Sequence, residues 1–331
     1  MMSFNGNIAI LGASSHIAKW LVCNYAGRGV RLHLFSRQTP KLGELLPVDL
    51  PELCSHGRCV IHDNYERFAE NQYDVIINCI GPGVFSGGVG NYADFFVLTE
   101  KYDNLVIDYL ERRNRQALYI CFSSGAVYGR DMASPAALNS VNKIAVNRIQ
   151  PIDYHLISRI NSEAKHRAYN GLNIVDIRIF SYFSRYADLS EKYLIAEVVN
   201  SIVSSNIFIT GREDVIRDYV HPDDLCQLVD QCMALGQVNR CYDAYSGGAT
   251  TKFNILDRFS AEFGLKYEIG VLPAPEGGTG HKRVYCSAYH AAASIGYQPK
   301  YSSIDALVTE TRHLLADRGI PVRIPGPDKE T

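Results

Sequence analysis

The stretch from Asn7 to Ala18 constrains this chain more than any other. Ile8, Ala9, Ile10 and Leu11 form a short apolar run suited to a buried parallel strand, and Gly12 ends it. Ala13, Ser14 and Ser15 are small, and Ile17, Trp20, Leu21 and Tyr25 then recur at helical spacing. A strand, a tight turn of small residues and a helix can hold the pyrophosphate of a dinucleotide. The helix amides point at the anion, and the turn lets the backbone come close. In a G-x-x-G-x-x-G frame the three positions hold Gly12, Ser15 and Ala18, so one glycine remains and small side chains replace the others. The candidate cofactor contacts in this turn are Gly12, Ser14, Ser15, His16 and Ile17. A first strand–helix unit with no ligand is the plain alternative.

Strand patterns recur at residues 30–35, 59–62, 73–80, 117–122 and 173–180, with a helical pattern over 92–112. This alternation predicts an α/β fold: a Rossmann-type, doubly wound parallel sheet followed by a small mixed α/β lobe. Residues 1–180 are expected to form the dinucleotide-binding domain. Residues 181–331 are expected to form mainly the substrate lobe, with segments at about 211–245 returning to the main domain. Residues 39–58, marked by Pro40, Pro47 and Pro51, read as irregular. A helix is expected near 287–295 and another over 304–316.

The strand ends carry the chemistry in such a sheet. The second strand ends in Ser36 and Arg37, where a guanidinium suits a ribose 2′-phosphate and no acid is present to bind the ribose hydroxyls. That reading favours NADP(H), with NAD(H) as the other candidate; a solvated arginine is the simpler alternative. Asp63 follows the third strand and is placed to meet an adenine amine, or to be a plain loop acid. The fourth strand runs through Cys79 and Ile80 into Gly81 and a glycine-rich loop reaching Gly90, where a cofactor is expected to lie. The fifth ends in Ser123 and Ser124. Residues 131–153 read as a polar loop over the site, after which Tyr154 opens a helix carrying Glu163, Lys165 and His166.

Composition narrows the function classes. A formal charge of −2 with no long basic block gives no support to nucleic-acid binding. No run reaches the length of a membrane span, and the first residues lack the pattern of a signal peptide. Nine cysteines without a C-x-x-C pair fit reduced thiols in the cytoplasm. No H-E-x-x-H or close Cys/His group suggests a metal.

Taken together, the motifs resemble the extended short-chain dehydrogenase/reductase superfamily, in its nucleotide-sugar epimerase, dehydratase and reductase branch. Ser123-Ser124-Gly125-Ala126-Val127-Tyr128-Gly129 is similar to the family's catalytic-serine strand, with Ser124 at the catalytic position. Arg178-Ile179-Phe180-Ser181 is similar to the strand entering the substrate pocket, with Ser181 where an asparagine is usual. Arg217-Asp218-Tyr219-Val220-His221-Pro222-Asp223-Asp224 is the most specific match, and the resemblance implies that Arg217 grips the diphosphate of a nucleotide-sugar. Arg283, in a basic stretch with His281 and Lys282, is a further substrate candidate.

The departure lies on the catalytic helix. The family expects Tyr-x-x-x-Lys. Tyr154 is followed four residues on by Ser158, whereas keeping Ser158, Arg159 and Glu163 in the family's register puts His155 and Arg159 at the two positions. The catalytic candidates are therefore Ser124 with Tyr154 or His155, and Arg159 as the cation; Tyr154 is taken as the proton carrier. Gly125 and Ala126 stand where a 4,6-dehydratase carries its acids, which argues against elimination of water. NADPH-dependent reduction of a nucleotide-linked keto-sugar is the leading expectation. An NAD-dependent 4-epimerase, or a catalytically weak binding protein on the same fold, are the alternatives. The resemblance also implies a homodimer built on the helices near 92–112 and 154–170.

Overall fold

The structure, a computed structural model, describes residues 4–37, 39–46, 48–81, 92–270 and 282–320. The glycine-rich stretch from Pro82 to Gly90 and His281 lie outside the described residues.

The chain runs β1 (Asn7–Leu11), α1 (His16–Ala26), β2 (Arg31–Phe35), α2 (Thr39–Leu45), α3 (Leu50–Ser55), β3 (Cys59–His62), β4 (Val75–Asn78), α4 (Asp94–Arg112), β5 (Leu118–Ser124), α5 (Pro151–Ala168) and β6 (Ile174–Ile179). It continues through β7 (Ser181–Tyr182), α6 (Leu194–Val203), β8 (Ile207–Thr210), β9 (Ile216–Arg217), β10 (Tyr219–Val220), α7 (Pro222–Met233) and β11 (Asn239–Ala244). The last elements are β12 (Thr250–Thr251), α8 (Lys252–Phe263), β13 (Lys266–Ile269), β14 (Val284–Tyr285) and α9 (Ser303–Asp317). Seven strands form one parallel sheet in the order β11-β6-β5-β4-β1-β2-β3, the doubly wound arrangement expected from the sequence.

Alternate residues of each strand feed opposite cores. Ile8, Ile10, Ile77 and Ile120 pack with Leu21 and Val22 of α1 and Leu225 and Val229 of α7. Ala9, Leu11, Ile76 and Tyr119 pack with Val106 and Leu110 of α4 on the other face. The strands are buried on both faces, which is why they read as continuous apolar runs. A separate core joins Ile195 and Val199 of α6, Phe208 of β8, Leu256 and Phe259 of α8, and Leu307 and Leu314 of α9.

Two local expectations change. Residues 39–58 contain α2 and α3 rather than an irregular segment. Pro51 lies in the first turn of α3, where its missing amide costs nothing, and the Asp49 carboxylate accepts from Glu52 N at 2.8 Å as the cap. The turn near 287–295 is a 3-10 segment, Ala291–Ile295, ended by Gly296 at φ +90°.

Helix α5 is fixed to the sheet by buried charge. His166 is fully buried and bridges Asp103 of α4 (2.6 Å) and Asp176 of β6 (2.8 Å). Lys165 reaches the same Asp103 at 2.5 Å, and Arg167 reaches Asp176 at 2.9 Å. Tyr119 of β5 donates to Asp103 at 3.0 Å and receives a bond from Asn78. Burial opposes a charge on His166, but the two carboxylates prevail and raise it from 6.5 to about 9. Its stabilising proton is therefore fully present below pH 6.5 and is lost as the pH rises through about 9. The contribution is on the order of 3 kcal/mol, one pKa unit being about 1.4 kcal/mol. His166→Gln should lose this alkaline limb: in urea unfolding followed from pH 6 to 10, wild type should fall toward the variant as the pH rises. A wild-type stability that runs parallel to the variant's over that range would refute the assignment.

Candidate active site

The carboxyl ends of β1, β4, β5 and β6 lie along one edge of the sheet, as their parallel registers require. At the end of β1, Gly12 takes φ +71°, and a Cβ there would stand 3.0 Å from Ile80 Cγ1 and 3.3 Å from the Cys79 carbonyl. Only glycine satisfies both the left-handed backbone and the close approach of the two turns. Ser15 caps α1 by accepting from Ala18 N at 3.4 Å, and its hydroxyl acts on the buried Cys79 thiol, which desolvation pushes up. Ala18 is fully buried in the core beneath the helix. The two lost glycines of the sequence frame are thus occupied by a cap and a small packing residue, and the turn remains tight. Gly12, Ser14, Ser15 and the positive N-terminal end of α1 fit the diphosphate of a dinucleotide.

The neighbouring candidates are arranged around this turn. Ser36 is buried and donates to Ser14 Oγ at 3.3 Å, tying the ends of β1 and β2 together. Arg37 is exposed beside it, and its charge acts on the phenol of Tyr65. Asp63 is exposed and accepts from Asn64 Nδ2 at 2.7 Å. His16, at the first position of α1, meets Ser184 Oγ at 2.7 Å, and burial lowers it to about 4, so the ring is neutral. Ile17 packs on the core below.

Helix α5 begins at Pro151 rather than Tyr154, with Asp153 accepting from Gln150 N at 2.9 Å. Tyr154 turns toward α4, its ring 5.5 Å from that of Tyr92 and 6.2 Å from that of Phe96. Arg159 is buried, donates to Phe122 O at 3.1 Å, and would stand 3.0 Å from a Cβ on Gly81. It therefore lies between the ends of β4 and β5. His155, one turn earlier on the same side, is held down to about 3 by burial and by the charges of Arg159 and Lys282.

Lys282 and Tyr285 were not among the sequence candidates. Ser124 Oγ lies 3.1 Å from Tyr285 Oη. Lys282 Nζ stands 4.1 Å above the centre of the Tyr285 ring, and both residues are buried. Arg217 is buried too; its Nη1 donates to Ile216 O at 2.8 Å and to Lys282 O at 2.9 Å, and its charge acts on Tyr285. Arg283, the substrate candidate of the basic stretch, is exposed, and its carbonyl accepts from Ile216 N. Ser181 lies in β7, paired with Tyr219 of β10. The acids after Arg217 work as clasps to the lobe. Asp218 accepts from Ser246 N and Ser303 Oγ, Asp224 accepts from the amides of Lys300 and Tyr301, and His221 stacks on Tyr301 at 3.7 Å.

Residues 8–246 match the model of the NAD dependent epimerase/dehydratase family. The chain belongs to that family. No curated protein matches it. Among solved structures it is similar to a UDP-glucuronic acid 4-epimerase from Bacillus cereus in complex with NAD and a fluorinated UDP-sugar, at 13% identity, 94% of this chain, 99% of that chain and a TM-score of 0.76. A UDP-glucose 4-epimerase from Thermotoga maritima with UDP-glucose follows at 15%, 94%, 99% and 0.73. A dTDP-glucose 4,6-dehydratase from Bacillus anthracis in complex with NAD gives 15%, 94%, 96% and 0.71. Among the described residues no group of side chains is suited to a metal, and no helix is long and apolar enough to cross a membrane.

One contact closes the position that follows Ser124. A Cβ on Gly125 would fall 2.5 Å from the Phe180 ring, so the position after Ser124 has no room for a side chain. Gly125→Ala should cost about 1–3 kcal/mol, the scale of overpacking, and Phe180→Leu should recover most of it. Urea unfolding of the single and double variants measures both; a Gly125→Ala protein as stable as wild type would show that the ring is not locked there.

Proposed function

We propose that this protein is a nicotinamide-dependent oxidoreductase of nucleotide-linked sugars that moves a hydride at a hydroxyl- or keto-bearing sugar carbon without eliminating water. The observation that carries this reading is the Ser124 hydroxyl. It ends β5 against a phenol, among buried cations, and is followed by a Gly125 that Phe180 closes. When bound, the nicotinamide supplies or accepts the hydride. Gly12, Ser14, Ser15, Cys79, Ile80 and Gly81 line its place, with Ser36, Arg37 and Asp63 toward its adenosine end. Ser124 steadies the oxygen on the reacting carbon. Arg217 and Ser181 serve the sugar-nucleotide, whose diphosphate meets the cation, and the lobe after residue 180 closes on it. The UDP-sugars named in the complexes of the similar structures support this substrate class.

Reduction of a keto-sugar by NADPH is the first reading, because Arg37 ends β2 where no acid stands against a 2′-phosphate. Epimerisation at C4 with retained NAD is the second, supported by the NAD in complexes with structural neighbours. The free state of all nine cysteines supports a cytoplasmic setting, and we assign dimerisation to α4 and α5. The test is to titrate NADPH and NADH into wild type and Arg37→Ala, then to follow oxidation of each cofactor at 340 nm over a panel of UDP- and dTDP-linked 4-keto-sugars. The first reading expects NADPH to bind more tightly, Arg37→Ala to weaken NADPH far more than NADH, and a keto-sugar to consume NADPH. Equal losses for both cofactors, with interconversion of UDP-glucose and UDP-galactose and no net oxidation, would select the epimerase. Binding of neither cofactor nor UDP would end the reading altogether.

A further inference from the structure

The residues that stand at the family's phenol and ammonium positions are His155 and Arg159, and neither does the chemistry of the original pair. Arginine does not exchange its proton near neutrality, and His155 is held neutral. Yet a phenol from an element far along the chain does meet the catalytic-serine position, and an ammonium lies over its ring. Tyr285 lies 161 residues beyond Ser124 and hydrogen-bonds it at 3.1 Å. Its backbone setting is rigid. β14 pairs with β9 on one side, and on the other Val284 N donates to Met132 O and Ala136 N donates to Cys286 O. The ring is enclosed by Phe180, Met132 and Ala136. Lys282, three residues earlier, lies over the face of the ring at 4.1 Å. Its charge also acts on His155 of α5.

We propose that Tyr285 is the proton-transferring group of this enzyme and that Lys282 is the cation that stabilises its phenolate, a Tyr–Lys pair moved from α5 to the β14 segment. The assignment rests on the hydride chemistry proposed above. In the reducing direction the sugar oxygen gains a proton as its carbon–oxygen π bond breaks. Tyr285 gives that proton, so its O–H bond breaks and a phenolate remains beside Lys282. The Lys282 ammonium or water then restores the phenol. In the oxidising direction the same atoms return their proton, and Ser124 holds the sugar oxygen throughout. Arg217 adds positive charge nearby, which opposes protonation of Lys282 and favours the phenolate.

The charged surroundings of the pair fit this exchange. Burial and Arg217 push Lys282 down to about 8, while burial pushes Tyr285 up to about 12 against the Ser124 hydrogen bond and the Arg217 charge. The other groups that act on the pair are His155, at about 3, and Asp243 of β11, raised by burial; Cys286, at about 11, and Tyr219, at about 12, act on Arg217 beside it. Lys282 is thus the group in this cluster set to lose its proton near pH 8.

The test has a readout that needs no substrate. In protein labelled at the tyrosine ring carbons, Tyr285→Phe identifies the Tyr285 resonance. That resonance should shift in a step near pH 8, and the step should vanish in Lys282→Met. A resonance that stays flat through pH 8, or a step that survives in Lys282→Met, overturns the pairing. With a keto-sugar substrate, Tyr285→Phe should lower kcat by about 10²-fold or more while the Kd values for NADPH and UDP stay within about twofold of wild type. If those affinities hold and Tyr285→Phe turns over at the wild-type rate, the proposal fails and the enzyme class stands. If Tyr154→Phe loses the rate instead, the proton belongs to α5. If wild type binds neither NADPH nor UDP, the enzyme class fails, and the resonance alone decides whether the pair exists.

Discussion

The rotation of α5 about its own axis decides which side chains reach the sheet edge, and two buried charge clusters fix it. Glu163 holds Arg178 of β6 through contacts down to 2.5 Å and accepts from Ser123 at 2.6 Å. One turn on, His166 is clamped between Asp103 and Asp176. Breaking such a pair leaves an uncompensated buried charge, which is far more costly than leaving the pair intact. His155, Arg159 and Glu163 are spaced by four and share a stripe of the helix. Once Glu163 is anchored, Arg159 reaches the ends of β4 and β5, the His155 ring lies 5.6 Å from that of Phe95 of α4, and Tyr154 packs against Tyr92 and Phe96. A small rotation of α5 would break these pairs, and the proton transfer proposed above therefore draws on a phenol outside α5.

The resulting site is rich in buried positive charge. Arg159, Arg217 and Lys282 all approach the Ser124 end of β5, while the histidines on its borders, His16 and His155, are neutral. In a desolvated edge such charges act strongly on a developing oxyanion and on an incoming diphosphate. The same desolvation, with the Arg217 charge, lowers Lys282 to about 8. Structure and chemistry meet in β14, a two-residue strand held from both sides by backbone hydrogen bonds.

The parallel sheet was legible in the chain because its strands are buried on both faces and read as apolar runs, and the β1 turn because only small residues fit it. α2 and α3 were hidden because their prolines, read as breakers, sit where helices begin. The register of Ser158-Arg159 with Glu163 points to His155 and residue type points to Tyr154; the structure packs Tyr154 against Tyr92 and Phe96 and brings Arg159 to the ends of β4 and β5, contacts that no sequence spacing reports. Arg217 was legible as a motif, whereas the clasping work of Asp218 and Asp224 depends on partners near residues 246 and 300. Tyr285 and Lys282 were illegible for a different reason. Their meaning depends on a contact across 161 residues, and no spacing rule reports such a contact.

The most direct measurement is a crystal structure of the protein with NADP+ and a UDP-sugar bound. The account predicts the cofactor diphosphate over the N-terminus of α1, with Ser124 Oγ and Tyr285 Oη both within hydrogen-bond distance of one sugar oxygen and Lys282 against the Tyr285 ring. A sugar oxygen held instead by Tyr154 or His155, with Tyr285 shut away from both ligands, would contradict it.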